Sequence, residues 1–223
     1  GTGLGIAMTM SLVIICYIKM ASVYPEENRN RILVSNGMTV VEQKQQENWF
    51  SSHVSFQAEK RFYYPLKSTE AVGASMDGRS TSLLELPGDG DLKEVQVKLV
   101  DAGFWKEFQF AFVDGKPFSQ ADFDSGLRKA VISRTMARQL FGETPPVGRT
   151  FVLDSDEYRV CGVVKDVSFI TPATYADIWL PLTVDSDIIK DNKGGYELVG
   201  DLNVYMLAPS VDAKDKVITE VRD

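Results

Sequence analysis

The first charged residue of the chain is Lys19. Before it stands the run GTGLGIAMTMSLVIICYI, and the apolar character continues through Met20, Ala21, Val23 and Tyr24 to Pro25. A bilayer core about 30 Å thick takes roughly 20 helical residues. Residues 1–24 are just long enough, and they read as a membrane-spanning helix truncated at its start. A cleaved signal peptide is an alternative reading; its basic region would stand ahead of the apolar one, upstream of Gly1. A buried core helix would carry a polar face, whereas only Thr2, Thr9 and Ser11 interrupt this run. Gly1-Thr2-Gly3-Leu4-Gly5 superficially matches a phosphate-binding glycine loop, but that motif follows a strand and none precedes it. Tyr17 and Lys19 suit the helix end, where an aromatic ring sits at headgroup depth and a lysine can snorkel.

Beyond Pro25 the chain turns polar, with Glu26-Glu27-Asn28-Arg29-Asn30-Arg31. The net charge of −7 leaves no basic face to displace counterions from phosphates, which argues against a nucleic-acid partner. Residues 31–42 are strand-like, with Asn36-Gly37 suited to a type I′ hairpin turn. Ser55 is a candidate cap for a helix whose Ala58, Phe62 and Leu66 share a face, ended by Pro65. Residues 70–76 read as a strand, completing a β-α-β unit. From Thr81 to Leu182 the pattern is mostly β. Val95, Val97 and Leu99 alternate with Gln96 and Lys98. Residues 149–153 and 158–164 pair around Asp154-Ser155-Asp156-Glu157, and Ile178-Trp179-Leu180 forms a further short strand. One helix stands out at 134–141, capped by Ser133 and stopped by Gly142. Residues 183–201 read as a loop or hairpin. Leu202, Val204 and Met206 then alternate as a strand, and Ser210 caps a last helix bearing Ala213, Val217 and Val221. The expected fold is α+β: two β-α halves with a β-rich insertion between them.

No catalytic constellation emerges. His53 is the single histidine, and Cys16 and Cys161 are far apart in sequence, so neither a metal set nor a Ser-His-Asp device is expected. Both cysteines read as small hydrophobes. The acids at Asp89 and Asp91, and at Asp154, Asp156 and Glu157, do not follow the calcium-loop pattern and fit turns between strands. No phosphate loop of the Gly-x4-Gly-Lys-Ser/Thr type is present, so the chain is expected to hold no ATPase, no cofactor and no metal.

A series of short motifs runs in order through residues 95–167. Gly103-Phe104-Trp105 is followed by Phe108; Gly115-Lys116-Pro117-Phe118 by Asp122; Val131-Ile132-Ser133 by Ala137 and Leu140-Phe141-Gly142. Pro146-Val147-Gly148-Arg149 and Val160-Cys161-Gly162-Val163-Val164-Lys165-Asp166-Val167 complete it. In order and spacing this series resembles the MacB-like periplasmic core domain of ABC-transporter permeases, whose wider family includes the FtsX and lipoprotein-releasing permeases. Residues 25–80 carry no comparable motif. The motif residues themselves read as turns, a cap and core rings, so the resemblance marks a fold.

The resemblance implies a porter-like domain with an inserted Sabre-like subdomain. Residues 1–24 would be the first membrane helix, 25–80 the first porter half, 81–183 the insertion and 184–223 the second half. It implies an extracytoplasmic, non-enzymatic permease domain at the cell (inner) membrane, relaying motion to export or extraction of a substrate. The implied partners are a separate cytoplasmic ABC ATPase, a second permease copy or homologue, a membrane-fusion or lipoprotein partner, and the bilayer itself. The alternatives are a binding or adhesion domain on a single membrane helix and, more remotely, an anchored hydrolase.

Overall fold

The computed structural model describes residues 24–41, 49–77, 82–88, 90–190 and 198–222. The apolar run 1–23 lies outside them, and so do residues 191–197; the described parts of the stretch expected as a loop or hairpin, 183–201, include a short helix at Ser186–Lys190 and a strand at Val199–Gly200. Among the described residues no helix is long and apolar enough to cross a membrane.

The α+β expectation holds. Fourteen strands are described: β1 Ile32–Ser35, β2 Met38–Val41, β3 Trp49–Val54, β4 Ala71–Asp77, β5 Ser82–Glu85, β6 Leu92–Val95 and β7 Val97–Val100, then β8 Phe112–Gly115, β9 Lys129–Ser133, β10 Thr150–Leu153, β11 Asp156–Val164, β12 Ile178–Pro181, β13 Val199–Gly200 and β14 Asn203–Leu207. The helices are α1 Phe56–Ala58, α2 Phe104–Glu107, α3 Gln120–Asp124, α4 Arg134–Phe141, α5 Ser186–Lys190 and α6 Lys214–Arg222. One sheet runs β1-β14-β4-β7-β12-β9-β11-β10-β5-β6, with β8 on β11, and a smaller one runs β13-β3-β2. The early strands β1 and β4 flank the late strand β14, so the two β-α halves meet in one sheet, and the strands between them in sequence extend it. Two pairs, β7 with β12 and β9 with β11, are parallel. Each parallel pair needs a connection that crosses back over the sheet rather than a tight hairpin. The central strands show the result. All four residues of β12 are buried, and Trp179, Ile132, Ile178 and Val131 are fully enclosed.

Several local expectations meet the structure directly. Ser133 caps α4, accepting from the Met136 N–H at 3.1 Å. Asp154 and Ser155 both take positive φ (49° and 69°), giving the tight turn that joins β10 to β11. Two differ. Asn36-Gly37 makes no hairpin: β1 pairs with β14 and β2 with β3, so the dipeptide passes the chain from one sheet to the other. Ser55 does cap α1 through the Ala58 N–H, but the helix then widens into a π-helical turn over Glu59–Tyr63. With i→i+5 bonding, Tyr63 falls beneath Ala58 and is buried, while Phe62 is turned out to solvent. The predicted face of Ala58, Phe62 and Leu66 assumed a period of 3.6 and fails there.

The segment Phe104–Phe112 crosses the sheet as a ribbon of rings. Phe104 meets Phe108 at 4.8 Å between centroids, Trp105 meets Phe110 at 5.1 Å and Phe110 meets Trp179 at 5.5 Å. Phe108 continues the series to Tyr205 of β14 at 5.2 Å. Its start is set by backbone contact. A Cβ at Gly103 would strike the Val72 carbonyl and one at Gly73 the Phe104 backbone, so only glycine lets α2 lie directly on β4.

Candidate functional site

Residues singled out as candidate chemistry turn out to be dispersed. His53 is exposed on β3, opposite Gly200. Cys161 is half-buried, donates to the Ala130 carbonyl at 3.3 Å, and burial pushes its thiol up to about 12. Asp154 accepts from the Leu83 N–H at 2.8 Å, and Asp156 pairs with Arg128 at 2.5 Å. Asp154 and Asp156 thus serve the turn and its neighbours, as a turn reading requires. Among the described residues no group of three His, Cys, Asp or Glu is arranged to hold a metal ion.

The built feature is the seat of residues 24–31, the segment that follows the apolar run. The Tyr24 ring stands edge-on to Phe110 at 6.4 Å. Its hydroxyl accepts from the Ala111 N–H at 3.0 Å and reaches the Lys165 carbonyl at 3.5 Å, while the Lys165 ammonium lies 5.8 Å from its ring centre. Burial, set against that Ala111 bond, raises the Tyr24 phenol above its ordinary range, so it stays neutral. The Pro25 carbonyl accepts from Gln109 N–H at 2.9 Å. Glu26 is buried, an unusual place for a carboxylate unless it is paired. It accepts from the enclosed Thr174 hydroxyl at 2.9 Å and from Arg29 Nε at 2.7 Å. Arg29 also donates to the Ile170 carbonyl at 3.3 Å. Arg31 donates to the Pro209 carbonyl at 2.8 Å and pairs with Glu70 at 3.3 Å, and its own carbonyl accepts from Ala208 N–H at 3.0 Å.

These contacts span the sheet. Lys165 follows the end of β11, and the register carries that end through β9 to the start of β12 and β7. Arg31 sits at the opposite edge, where Ile32, Leu207 and Ala71 align. The segment is therefore tied to both ends of the sheet and, through Phe110, to the ring ribbon and Trp179. Loop 171–176 holds it from above. Trp179 Nε1 donates to the Thr174 carbonyl at 3.1 Å, and buried Lys98 donates to the Pro172 carbonyl at 3.2 Å.

A second polar cluster lies under α2. Asp101 accepts from Ala74 and Phe104 N–H at 2.9 and 2.8 Å, and from the Tyr64 hydroxyl at 3.0 Å. Glu59 and Glu107 are fully buried beside it. Burial first, and Asp101 second, drive both glutamates well above the ordinary carboxylate range. Burial also raises Asp101, against its three donors. The negative charge is best placed on Asp101, with the glutamates protonated. Sequence reasoning missed this cluster, because nothing in the spacing of 59, 101 and 107 announces that they converge. It also missed Glu26 and Thr174, whose pairing depends on two loops 148 residues apart meeting.

The geometry is that of a mixed α+β sheet with residues 24–31 seated against it. Comparison with known proteins gives the family. The model of the MacB-like periplasmic core domain matches residues 1–223, and the chain belongs to that family. Domains of this family are parts that ABC-transporter permeases carry outside the membrane. The chain is 24% identical over 91 residues to an uncharacterized ABC transporter permease, YknZ, of Bacillus subtilis (strain 168); the match covers 41% of this chain and 23% of that protein. The chain thus spans about a quarter of the curated relative it matches. In fold it is similar to the crystal structure of the extracellular domain of the noncanonic ABC-type transporter YknZ from Gram-positive bacteria, with TM-score 0.59, 18% identity, and 85% of this chain and 90% of that one covered. It is similar also to the periplasmic region of MacB from Actinobacillus actinomycetemcomitans, at 0.57 and 14%, covering 84% and 83%. A domain of a putative permease protein from Porphyromonas gingivalis follows at 0.58 and 18%, covering 87% and 81%.

Proposed function

We propose that the chain is the extracytoplasmic domain of an ABC-permease subunit at the cell (inner) membrane, and that it turns movement of a membrane helix into work on a substrate outside. Residues 1–24 are that helix in this reading, 25–80 and 184–223 the porter-like halves, and 81–183 the Sabre-like insertion. The energy comes from a separate cytoplasmic ATPase acting on a permease pair, and a membrane-fusion or lipoprotein partner receives the substrate.

One observation carries the reading: the seating of residues 24–31. A passive tether needs no buried carboxylate, and a linker is ordinarily exposed and polar. Here a displacement of Tyr24 must move Phe110 and the loop holding Glu26, because packed interiors shift as units rather than deform smoothly. The test is a flexible insert. Four glycines placed between Val23 and Tyr24 of the full-length permease, reconstituted with its ATPase, should leave ATP hydrolysis in place and abolish nucleotide-dependent movement of the domain. Unchanged movement would sink the coupling role and favour a domain that is merely anchored.

A further inference from the structure

Loop 165–171 ends in an exposed apolar tip. Phe169 is 77% exposed and Ile170 49%, in a domain whose other phenylalanines are mostly enclosed. The tip is held in shape. The Thr171 hydroxyl donates to the Ser168 carbonyl at 2.7 Å, Arg29 holds the Ile170 carbonyl, and Lys98 holds Pro172 just beyond. A fixed loop that presents a phenylalanine to water invites an explanation.

Its position supplies one. Lys165, at the base of the loop, touches Tyr24, and Tyr24 directly follows the apolar run. Phe169 lies four positions on from Lys165, a reach of at most about 14 Å. The headgroup layer on one side of a bilayer is roughly 5–7 Å deep. Charges of both signs surround the base of the loop. Lys165 is exposed, and Arg134 acts on Tyr24 from the start of α4. Of the neighbouring acids, Glu26 is paired with Arg29, while Asp166, which accepts from the Thr135 N–H at 2.8 Å and acts on Tyr24 more strongly than Arg134 does, and Glu27 are both exposed. An exposed aromatic and aliphatic tip with a lysine at its base suits the interfacial layer of a membrane.

We propose that the Phe169–Ile170 tip dips into the headgroup layer of the membrane entered by residues 1–23, making a second lipid contact beside the helix. The proposal rests on the reading that this run spans the bilayer.

The experiment uses the full-length protein in nanodiscs containing phosphatidylglycerol, with Cys16→Ala and Cys161→Ala removing the native thiols. An environment-sensitive fluorophore is placed at Phe169→Cys and, in a second variant, at Ile170→Cys. The control is Leu92→Cys. Leu92 is 59% exposed at the start of β6. It lies toward the end of β11 remote from Lys165, and that nine-residue strand is about 30 Å long. The expected result is blue-shifted emission at 169 and 170, quenched by lipids spin-labelled near the headgroup, with neither effect at 92. Unshifted emission at 169 and 170 overturns the proposal. So does a blue shift without lipid quenching, which means that protein covers the tip. Labelling of Leu92→Cys in cells by a membrane-impermeant maleimide separates the two levels: without it the extracytoplasmic reading itself fails, and with it only the lipid contact is in question.

Discussion

Replacing Glu26 by alanine tests how firmly the segment behind the apolar run is seated. The substitution removes the acceptor of the Thr174 hydroxyl and the partner of Arg29. A hydrogen bond to a charged group contributes about 1.5–3 kcal/mol. The Arg29 side chain is 34% exposed, so water compensates part of its loss, and that pair adds no more than about 1 kcal/mol. Thr174 retains a bond to the Thr171 carbonyl at 3.2 Å, which lowers the cost of stranding its hydroxyl. The net local loss is about 2 kcal/mol, equivalent to roughly 30-fold faster opening of the segment. Hydrogen exchange read by mass spectrometry is the assay. Gln109 and Ala111 N–H, which donate to Pro25 and Tyr24, should exchange about that much faster. The peptides of β9 and β12 should keep their protection. Glu26→Gln, which still accepts from Thr174, should cost less than half as much. If Glu26→Ala leaves exchange at Gln109 and Ala111 unchanged, or raises it evenly across the sheet, the seat is not the local lock inferred here.

Three further outcomes follow from the same structure. Glu59 and Glu107 have folded-state pKa values above their unfolded ones, so their stabilising contribution is complete below the ordinary carboxyl range and is lost as pH rises through the raised values. Urea melts should therefore show falling stability from acid toward neutral pH, and Glu107→Gln should flatten that slope and raise stability at pH 8. Gly103→Ala forces a Cβ into the Val72 carbonyl and should cost about 1–3 kcal/mol in the same melts, whereas Gly148→Ala, with nothing near its Cβ, should cost only the strain of its positive φ. The Cys161 thiol, raised to about 12, should react with a thiol reagent at pH 8 only when the domain unfolds, with loss of reaction protection tracking the melt.

Much of the scaffold is legible in the residues. The helix at 134–141 is framed by a cap and a stop, the 154–155 turn by its acids, the strand at 178–180 by its apolar run and the strand at 202–206 by the alternation of Leu202, Val204 and Met206. These are local signals, and local physics decides them. The π-turn at 59–63 was not legible, because widening a helix by one residue per turn is imposed by what packs beneath it. Asn36-Gly37 shows the same limit: its turn propensity is real, but the register of β1 with β14 outweighs it. Helix α3 was overlooked although Ser119 and Asp122 form a capping box, a signal present in the sequence. The seat of residues 24–31 lay beyond reach for another reason. Glu26 resembles any other acid in a polar run until Thr174 arrives from the far side of the fold. The family series at 103–167, by contrast, could be read because its glycines and rings recur in order, and the structure explains why Gly103 and Gly115 belong there: each meets backbone where a side chain would stand.

The central claim is that movement of the membrane segment reaches the domain through residues 24–31. Its most direct test is a pair of distances in the full-length permease reconstituted with its ATPase. Spin labels at Leu92 on the two copies of the permease report domain movement, measured with ATP trapped and with ADP. The account predicts a nucleotide-dependent change in that distance which disappears when Glu26→Ala and Arg31→Ala loosen both ends of the seat, while ATP hydrolysis persists. A change of the same size with the seat loosened would contradict it.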